Sequence, residues 1–313
     1  MSIRPAVSVV LESVNAGVEG RRSELATALR PVLAGLSRQT EQDFETVLVV
    51  GAGGSLRGAL PGDWPPRTRV VAIDSDNYFA AKNEGARRAS GDLVLFLDSD
   101  TVPAPHWLAS MVTAFRPGVQ VVAGRTRYAG ESLTSRALSH MILAVTTGPN
   151  GDATGFVANN VGFRREVFLS RLFDERIPRH GGCYLLYHQL RREGVRVVYA
   201  PEAEVRHRLD TRYLSRQYER GLDAVLVHRL DEEGALSGTG WRMNHPWAAP
   251  IALSLRRIAY DFAALSRSSS RAPMRGRDVP AAAAVITAGR LAALAGELAG
   301  TVRPARRASA PPR

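Results

Sequence analysis

An unbroken apolar segment, Leu93-Val94-Leu95-Phe96-Leu97, runs directly into Asp98-Ser99-Asp100. Five apolar residues of this composition predict a strand buried on both faces, as in a parallel sheet covered by helices. In open α/β sheets the ligand crevice lies beyond the carboxyl ends of the strands, so both aspartates are expected at that crevice. Residues i and i+2 of an extended segment point to the same side, and two carboxylates placed in this way can bind one hard cation.

The Asp-x-Asp pattern is short, and a chain of this length is expected to contain about one copy by chance. A second copy, Asp74-Ser75-Asp76, also follows an apolar segment, Val70-Val71-Ala72-Ile73. The alternative to a metal site is that both copies are loop and helix-capping aspartates. The motif alone leaves both interpretations open, and its surroundings have to decide between them.

Short strand-like segments alternate with helical patterns in the first third of the chain, which predicts βαβ units and a parallel sheet. The predicted strands are 7–11, 47–50, 70–73 and 93–97, and the predicted helices are 24–38, 79–89 and 105–115. The turn Gly51-Ala52-Gly53-Gly54-Ser55 follows the second strand and lacks the G-x-G-x-x-G spacing that opens a helix in dinucleotide-binding proteins. This argues against a Rossmann dehydrogenase.

Composition limits the class of protein and its compartment. With 313 residues and 45% hydrophobic content, the chain can bury a core large enough for one large domain and an appendage. A single cysteine, Cys183, excludes an intramolecular disulfide, and the first apolar segment is too short for a secretory signal, so we expect a cytoplasmic protein. The net charge of +11 is concentrated from Arg267 onward and no nucleic-acid-binding motif accompanies it, so no nucleic acid partner is expected.

Many short segments together, over residues 5–210, have a familiar order and spacing. They are Val7-Ser8-Val9-Val10 with Asn15, Gln39-Thr40, Val47-Leu48-Val49-Val50, Lys82-Asn83-Glu84-Gly85-Ala86, Gly91-Asp92, Phe96-Leu97-Asp98-Ser99-Asp100, Trp107-Leu108, Asn159-Asn160-Val161-Gly162-Phe163-Arg164-Arg165, Phe173-Asp174-Glu175, Gly194 and Pro201-Glu202-Ala203-Glu204-Val205-Arg206-His207. In this order they resemble the family 2 glycosyltransferases of the GT-A fold. The resemblance implies an α/β fold, with a Rossmann-like, mostly parallel sheet flanked by helices and a helical C-terminal extension.

The resemblance also implies a nucleotide-sugar donor, a hydroxyl acceptor (a glycan, a lipid-linked molecule or a natural product) and Mn²⁺ or Mg²⁺. Asp100 matches the metal-ligating carboxylate, Asp98 matches its partner near the donor ribose, and His207 matches a histidine that completes the metal site. The metal has a clear purpose, because departure of the sugar leaves a diphosphate whose charge a divalent cation neutralises.

Further donor-binding residues follow from the same resemblance. Lys82, the only lysine of the chain, matches a position that faces the donor phosphates, and Asn83 lies beside it; a solvated helix start is the alternative for Lys82. Gly51-Ala52 replaces the family's paired aspartates that bind the base. We expect Glu12 to take over by accepting an N–H group of uracil or guanine, with Asn15 nearby on the donor side.

The expected catalytic acid pair is missing. Inverting members of the family carry Glu-Asp ahead of a helix, where the carboxylate deprotonates the acceptor hydroxyl, whereas this chain has Gly182-Cys183. An unperturbed thiol is mostly protonated at neutral pH, so a small core residue is the favoured interpretation of Cys183. No base is assigned, and the nearest candidates are His180, Glu175 and Asp174. On the acceptor side the resemblance places Asn159, Asn160 and Cys183.

The predicted organisation has three parts. Residues 1–210 form the GT-A domain (donor half 1–125, acceptor half 126–210), residues 211–265 form a helical extension, and residues 266–313 form a linker, an Ala-rich helix and a basic disordered tail. Within the extension, 247–265 is the best membrane candidate, but Arg256, Arg257 and Asp261 would each cost about 2.5–3.5 kcal/mol near a bilayer centre. Spanning of the bilayer by 247–265 is therefore disfavoured. A helix lying at the inner membrane surface and a helix packed on the catalytic domain both stay open.

Three functions are compared on this basis. The first is a glycosyltransferase, for which inversion is the family expectation. The second is a catalytically silent relative that binds a nucleotide sugar or a partner enzyme, because the acidic pair is missing. The third is a sugar-phosphate nucleotidyltransferase, and it ranks last because the Gly-rich, basic first loop of that class is absent.

Overall fold

The computed structural model describes residues 6–14, 25–52, 64–65, 67–129, 132–141, 145–148, 151–208, 212–266 and 276–303. The strands in these ranges are β1 (Val7–Glu12), β2 (Phe44–Val50), β3 (Thr68–Ala72), β4 (Leu93–Asp98), β5 (Thr101–Pro103), β6 (Val121–Ala129), β7 (Asn160–Arg164) and β8 (Val197–Arg208). The helices are α1 (Leu25–Ser37), α2 (Tyr78–Arg88), α3 (Trp107–Ala114), α4 (Leu133–Met141), α5 (Arg165–Ser170), α6 (Gly182–Arg192), α7 (Tyr213–Arg229), α8 (Thr239–Asn244), α9 (Ala248–Ser266) and α10 (Val279–Val302). Asn15, Gly53–Ser55, residues 267–275 of the predicted linker and the predicted basic tail lie outside the described residues.

The strands form one sheet in the order β3-β2-β1-β4-β7-β6-β8-β5. Strands β3, β2, β1 and β4 pair in parallel, whereas β7 pairs antiparallel with both β4 and β6, and β5 pairs antiparallel with β8. The predicted α/β fold is confirmed. The parallel strands are the four that were predicted from the apolar segments, and the antiparallel strands come later in the chain.

The parallel half of the sheet is covered closely by helix α2. Every residue of β1, β2 and β4 is buried, in agreement with their mostly apolar sequences. A Cβ atom on Gly85 would collide with the side chain of Val10 and lie 2.9 Å from that of Val49. Glycine therefore lets α2 pack directly on β1 and β2, and α2 carries Tyr78 and Lys82 to the carboxyl end of β4.

Strand register brings together residues that are distant in sequence. Glu12 lies opposite Asp98 in the β1–β4 pair. In the β5–β8 pair Thr101 lies opposite His207, and the backbone N–H of Arg208 donates to the carbonyl oxygen of Asp100 at 3.1 Å. The end of β8 is thereby fixed beside the turn that follows β4.

The described chain divides into two compact units. The first lies within 1–127, 144–175 and 186–208 and holds most of the sheet and the large core around Trp107. The second lies within 128–143, 176–185 and 209–313 and is mainly helical, with a smaller core between α4, α9 and α10. A Cβ atom on Gly221 or Gly296 would collide with backbone of the facing helix, so α7 and α10 owe their close packing to these glycines.

Two C-terminal helices match the predicted ones. Helix α9 corresponds to the predicted segment 247–265, and α10 corresponds to the Ala-rich segment. Among the described residues, Gly276–Val302 is long and apolar enough to cross a membrane by length and composition. In this structure the segment packs along α7 and holds Glu297, which is only 1% exposed.

Candidate active site

Asp98, Asp100 and His207 converge at the carboxyl end of β4. Each offers one ligand atom, and these three atoms lie within 4.8 Å of one another. Asp98 ends β4, and the hydroxyl of Thr101 donates to the carbonyl oxygen of Asp98 at 2.7 Å, which holds the turn between β4 and β5. The carboxyl end of one strand and the end of the distant β8 therefore build a compact group of two oxygen ligands and one nitrogen ligand.

Asp100 is the residue of this group whose environment is most unusual. Its buried Oδ1 atom lies 3.3 Å from Nε2 of His207 and completes no hydrogen bond within the part of the chain described. Burial acts to raise the pKa of the Asp100 carboxyl, but the neighbouring His207 imidazole outweighs it and the pKa is lowered. A buried, ionised oxygen without a hydrogen bond is a suitable ligand for a cation.

The donor set fits the divalent ion that the resemblance implies. Carboxylate oxygens suit Mg²⁺ and Mn²⁺, and an added imidazole favours Mn²⁺ over an all-oxygen site. The first Asp-x-Asp copy has different surroundings, because both of its carboxylates, on Asp74 and Asp76, are exposed. The adjoining helix α2 is capped by Asn77, whose side chain accepts from the backbone N–H of Ala80, so neither aspartate caps it.

A buried lysine and a tyrosine bind the same carboxylate. Nζ of Lys82 lies 2.6 Å from Oδ1 of Asp98, and the Tyr78 hydroxyl donates to Oδ1 and Oδ2 at 2.9 and 3.0 Å. The ammonium also donates to the carbonyl oxygen of Leu97 at 3.3 Å and lies 4.8 Å from the centre of the Tyr78 ring. Lys82 is 0% exposed, so the alternative of a solvated helix start is wrong.

Tyr78 was not predicted from the sequence. It precedes Lys82 by four residues on α2, which places both side chains on one face of the helix, above the end of β4. The spacing Tyr-x-x-x-Lys could have suggested the pair. The partner carboxylate could not be inferred locally, because Asp98 lies on a different element.

Two further predicted donor-side residues, Glu12 and Asn83, lie within the part of the chain that the structure describes, and both are buried. Glu12 is 0% exposed at the end of β1, level with Asp98. The Asn83 amide donates to the carbonyl oxygen of Phe173 and to Oε1 of Glu175 at 2.8 and 2.9 Å, and accepts from the backbone N–H of Phe173 at 3.1 Å. Asn83 thus ties α2 to the segment that carries two of the candidate bases, Asp174 and Glu175.

Glu175 is held from several sides while its carboxylate stays accessible. Its backbone carbonyl accepts from Asn77, its carboxylate lies 3.6 Å from the Arg87 guanidinium, and its side chain is 45% exposed. Asp174 is half-buried beside it.

The two predicted acceptor-side asparagines have different surroundings. Asn160 is fully buried: its Oδ1 accepts from the Trp107 indole at 2.8 Å, and its Nδ2 donates to the carbonyl oxygens of Arg125 and Ala203 at 2.9 and 3.0 Å. These bonds hold β6, β7, β8 and α3 together. Asn159 accepts from the Thr126 hydroxyl at 3.0 Å and is 6% exposed.

His180 and Cys183 belong to the second unit, at the start of α6. Burial lowers the pKa of His180 to about 3, against a smaller raising effect of Glu219, whose Oε2 lies 3.8 Å from Nε2. The backbone N–H of His180 donates to Oδ2 of Asp223 at 2.9 Å, and burial raises the pKa of Asp223 to about 6. Cys183 is half-buried in the first turn of α6. His180 is therefore neutral at physiological pH and a weak proton acceptor.

Comparison with known proteins agrees with this geometry. A sequence model of "Glycosyl transferase family 2" matches residues 22–174. The chain is 32% identical over 205 residues to the O-antigen biosynthesis protein RfbC of Myxococcus xanthus, an alignment that covers 57% of this chain and 16% of that protein. The chain thus spans about a sixth of the length of this relative.

Two solved structures show the same fold. A mannosyltransferase from Pyrobaculum calidifontis in complex with GDP-Man and Mn²⁺ superposes with a TM-score of 0.58 at 16% identity, covering 96% of this chain and 88% of that one. A structure of GalNAc-T7 with UDP, GalNAc and Mn²⁺ gives a TM-score of 0.57 at 14% identity, covering 80% and 51%. With the family match, the sheet and the motif order together, residues 22–174 belong to glycosyl transferase family 2, and the chain has the GT-A fold.

Proposed function

We propose that this glycosyltransferase moves a hexose from a nucleoside-diphosphate donor to a hydroxyl acceptor, with Mn²⁺ or Mg²⁺ held by Asp98, Asp100 and His207. The observation that carries the proposal is the buried Oδ1 atom of Asp100, which lies beside His207 and completes no hydrogen bond in the described part of the chain. Support also comes from the two similar structures, which contain Mn²⁺ with GDP-Man or with UDP and GalNAc.

A bound divalent cation supplies positive charge that stabilises the departing nucleoside diphosphate. The residues of the chain do the positioning. Lys82 and Tyr78, both on α2, donate hydrogen bonds to the Asp98 carboxylate, so that it keeps one orientation at the end of β4. The expected roles of Glu12, accepting N–H groups of the donor base, and of Lys82, adding positive charge near the diphosphate, are part of the proposal; both side chains are buried near the carboxyl ends of β1 and β4.

The base that activates the acceptor is proposed from accessibility and anchoring. His180 is a weak proton acceptor because burial lowers its pKa to about 3. Glu175 combines an exposed carboxylate with a backbone held by Asn77 and a side chain held by Asn83. We therefore propose Glu175 ahead of Asp174 and His180 as the base in an inverting transfer. A cytoplasmic location, at the inner face of the cell membrane, is proposed from the single cysteine and the C-terminal helices.

The test is donor hydrolysis and transfer with Mn²⁺ across UDP-, GDP- and TDP-sugars. Turnover of one donor by the wild-type chain, lost in Asp100→Asn and retained in the matched variant Asp76→Asn, supports the proposal. Glu175→Gln should then lower kcat with little change in donor affinity. Tight donor binding without turnover, with every acceptor class offered, would instead establish the silent binding protein that the missing acidic pair suggests.

A further inference from the structure

Helix α9 buries polar side chains and exposes apolar ones, which is the reverse of the usual arrangement in a helix that faces water. Its inward side carries Ser254, Arg257 and Asp261, which are 3% exposed, half-buried and 1% exposed, respectively. The Asp261 carboxylate accepts from the Arg290 guanidinium of α10 at 2.7 and 3.1 Å, and Arg257 donates to the buried Glu297, also of α10, at 2.5 Å. These ion pairs set the rotation of α9 about its own axis.

Because the charged side faces inward, the apolar side faces out. Ile251, Leu255 and Phe262 are 47%, 64% and 39% exposed. At about 100° per residue, these three side chains and the exposed alanines between them fall within an arc of about 100°. A soluble helix is expected to bury an arc of this kind, whereas this helix presents it to the surroundings.

Exposed aromatic residues also lie on α9 and in the segment just before it. Trp247, just before α9, is 56% exposed, and Tyr260, near its far end, is 54% exposed. The preceding helix α8 adds Trp241, which is 44% exposed, and Met243, which is 39% exposed. Tryptophan and tyrosine are the residues that concentrate at membrane–water interfaces, where an apolar ring and a polar group meet suitable surroundings together.

We propose that the outer face of α8 and α9 binds the surface of an anionic bilayer, with α9 lying parallel to it. The choice of the inner leaflet rests on the proposed cytoplasmic location. Charge supports this occupant over a second copy of the chain. The net charge of +11 is concentrated from Arg267 onward, directly after α9 in sequence, and the exposed Arg256 lies at the edge of the apolar arc, where its guanidinium can reach lipid phosphates while its stem stays among apolar side chains. The same charge disfavours close approach of two copies.

The direct experiment is vesicle binding by the full chain, followed by co-sedimentation and by tryptophan fluorescence. The vesicles contain phosphatidylcholine with about a third phosphatidylglycerol, and phosphatidylcholine alone for comparison. We expect binding to the anionic vesicles with a blue shift in emission. Brominated lipids should quench the fluorescence of Trp247 and leave that of the buried Trp107 unaffected. A Trp247→Phe variant identifies the part of the quenching that comes from Trp247.

Variants locate the surface. Ile251→Ser with Leu255→Ser should lower vesicle affinity by at least about tenfold, since two exposed apolar side chains no longer enter the interface. Val70→Ser, which changes a side chain that is 46% exposed on the edge strand β3, is the matched control and should bind like the wild type. Arg256→Gln should weaken binding to anionic vesicles by about fivefold and leave binding to phosphatidylcholine unchanged.

Three outcomes would overturn the proposal: no vesicle binding by the wild type, equal binding by the double serine variant, or loss of a dimer in that variant with vesicle binding unchanged. Circular dichroism melting checks that the exposed substitutions leave the fold intact. The catalytic proposal can fail independently, because Asp100→Asn should bind vesicles like the wild type whatever its turnover.

Discussion

Replacing Lys82 by methionine should destabilise the first unit strongly, because it removes the cation from a buried ion pair. Nζ of Lys82 is 2.6 Å from Oδ1 of Asp98, and the two side chains are 0% and 6% exposed, so solvent screens the pair little. Methionine keeps most of the aliphatic stem, which isolates the loss of charge from the loss of volume. The carboxylate would keep the Tyr78 hydroxyl as its neutral donor.

Removing one partner of a buried pair costs about 3–5 kcal/mol, mainly because the other charge stays buried. The retained Tyr78 donor places the expected loss at the lower end, about 3 kcal/mol, with a fall in Tm of about 6–12 °C. Asp98→Asn should also destabilise, because the ammonium is then left without its carboxylate. The double variant should lose less than the sum of the single variants, with a coupling energy of about 2 kcal/mol.

Urea unfolding measures these free energies, and the two-unit structure requires a probe of the first unit alone. Phe in place of Trp241 and Trp247 leaves Trp107, buried in the first unit, as the main reporter, together with Trp64, which packs against the same core. Adding Mn²⁺ should stabilise Lys82→Met more than the wild type, because the metal supplies positive charge beside Asp98. The reasoning fails if Lys82→Met lies within about 1 kcal/mol of the wild type, or if the single variants are additive.

Three further predictions concern the metal, pH and helix packing. Asp100→Asn should weaken Mn²⁺ binding at least about tenfold by electron paramagnetic resonance, whereas Asp76→Asn leaves it unchanged; equal effects would contradict the metal site. Burial lowers the pKa of His180 to about 3 from 6.5, so stability should fall as pH drops through that window, because the unfolded chain binds a proton that the folded chain does not. His180→Asn should flatten this dependence in urea unfolding, and the imidazole NMR signal should not titrate above pH 5. Gly296→Ala should lower the thermal midpoint by several degrees because its Cβ would collide with the Tyr218 carbonyl oxygen, whereas Gly240→Ala, with open space around it, is neutral.

Much of the sheet could be predicted because its first strands are buried on both faces and are therefore mostly apolar in sequence. The apolar segment 93–97 became β4 (Leu93–Asp98), and 7–11, in which Ser8 is the one polar residue, became β1 (Val7–Glu12), as expected for strands of a parallel sheet covered on both faces. Strand β3 shows the limit. It lies at the sheet edge with three of its five residues exposed, although its sequence is equally apolar at 70–72. Position in the sheet depends on the order of strands, which local patterns do not contain.

The antiparallel strands were harder to predict for a related reason. Asn160-Val161-Gly162-Phe163-Arg164 reads as a family motif, and nothing in it shows that the Asn160 amide would bind the Trp107 indole inside the fold. A polar residue in a core pairs with groups that come from other elements. The same limit explains Tyr78, whose hydrogen bonds to Asp98 required the packing of α2 on the sheet.

For the candidate metal ligands, the structure adds what the sequence pattern lacked. The Asp-x-Asp motif was ambiguous by itself, with two copies in the chain, and the structure separates them by burial and by the contact between Asp100 and His207. The predicted roles of Glu12, Asn83 and Cys183 stay predictions, because each role concerns a substrate. The neutral His180 was unexpected, since burial of a histidine depends on residues of α7 that lie far along the chain.

The pairing of β5 with β8 has a consequence for how folding and function are linked. Asp100 adjoins β5, a strand of three residues at the sheet edge, and His207 lies in the neighbouring β8, the last strand along the chain. A ligand that binds only the assembled site adds its binding free energy to that of the folded state, by RT ln(1 + [L]/Kd). Metal at 100 times its Kd would therefore add about 2.7 kcal/mol to the free energy of opening the site. The pairing of β8 with β5 would be stabilised by this amount, because both ligand-bearing segments must be in place to bind the metal. Local opening of this edge, followed by hydrogen exchange, would thus report the metal concentration that the protein experiences.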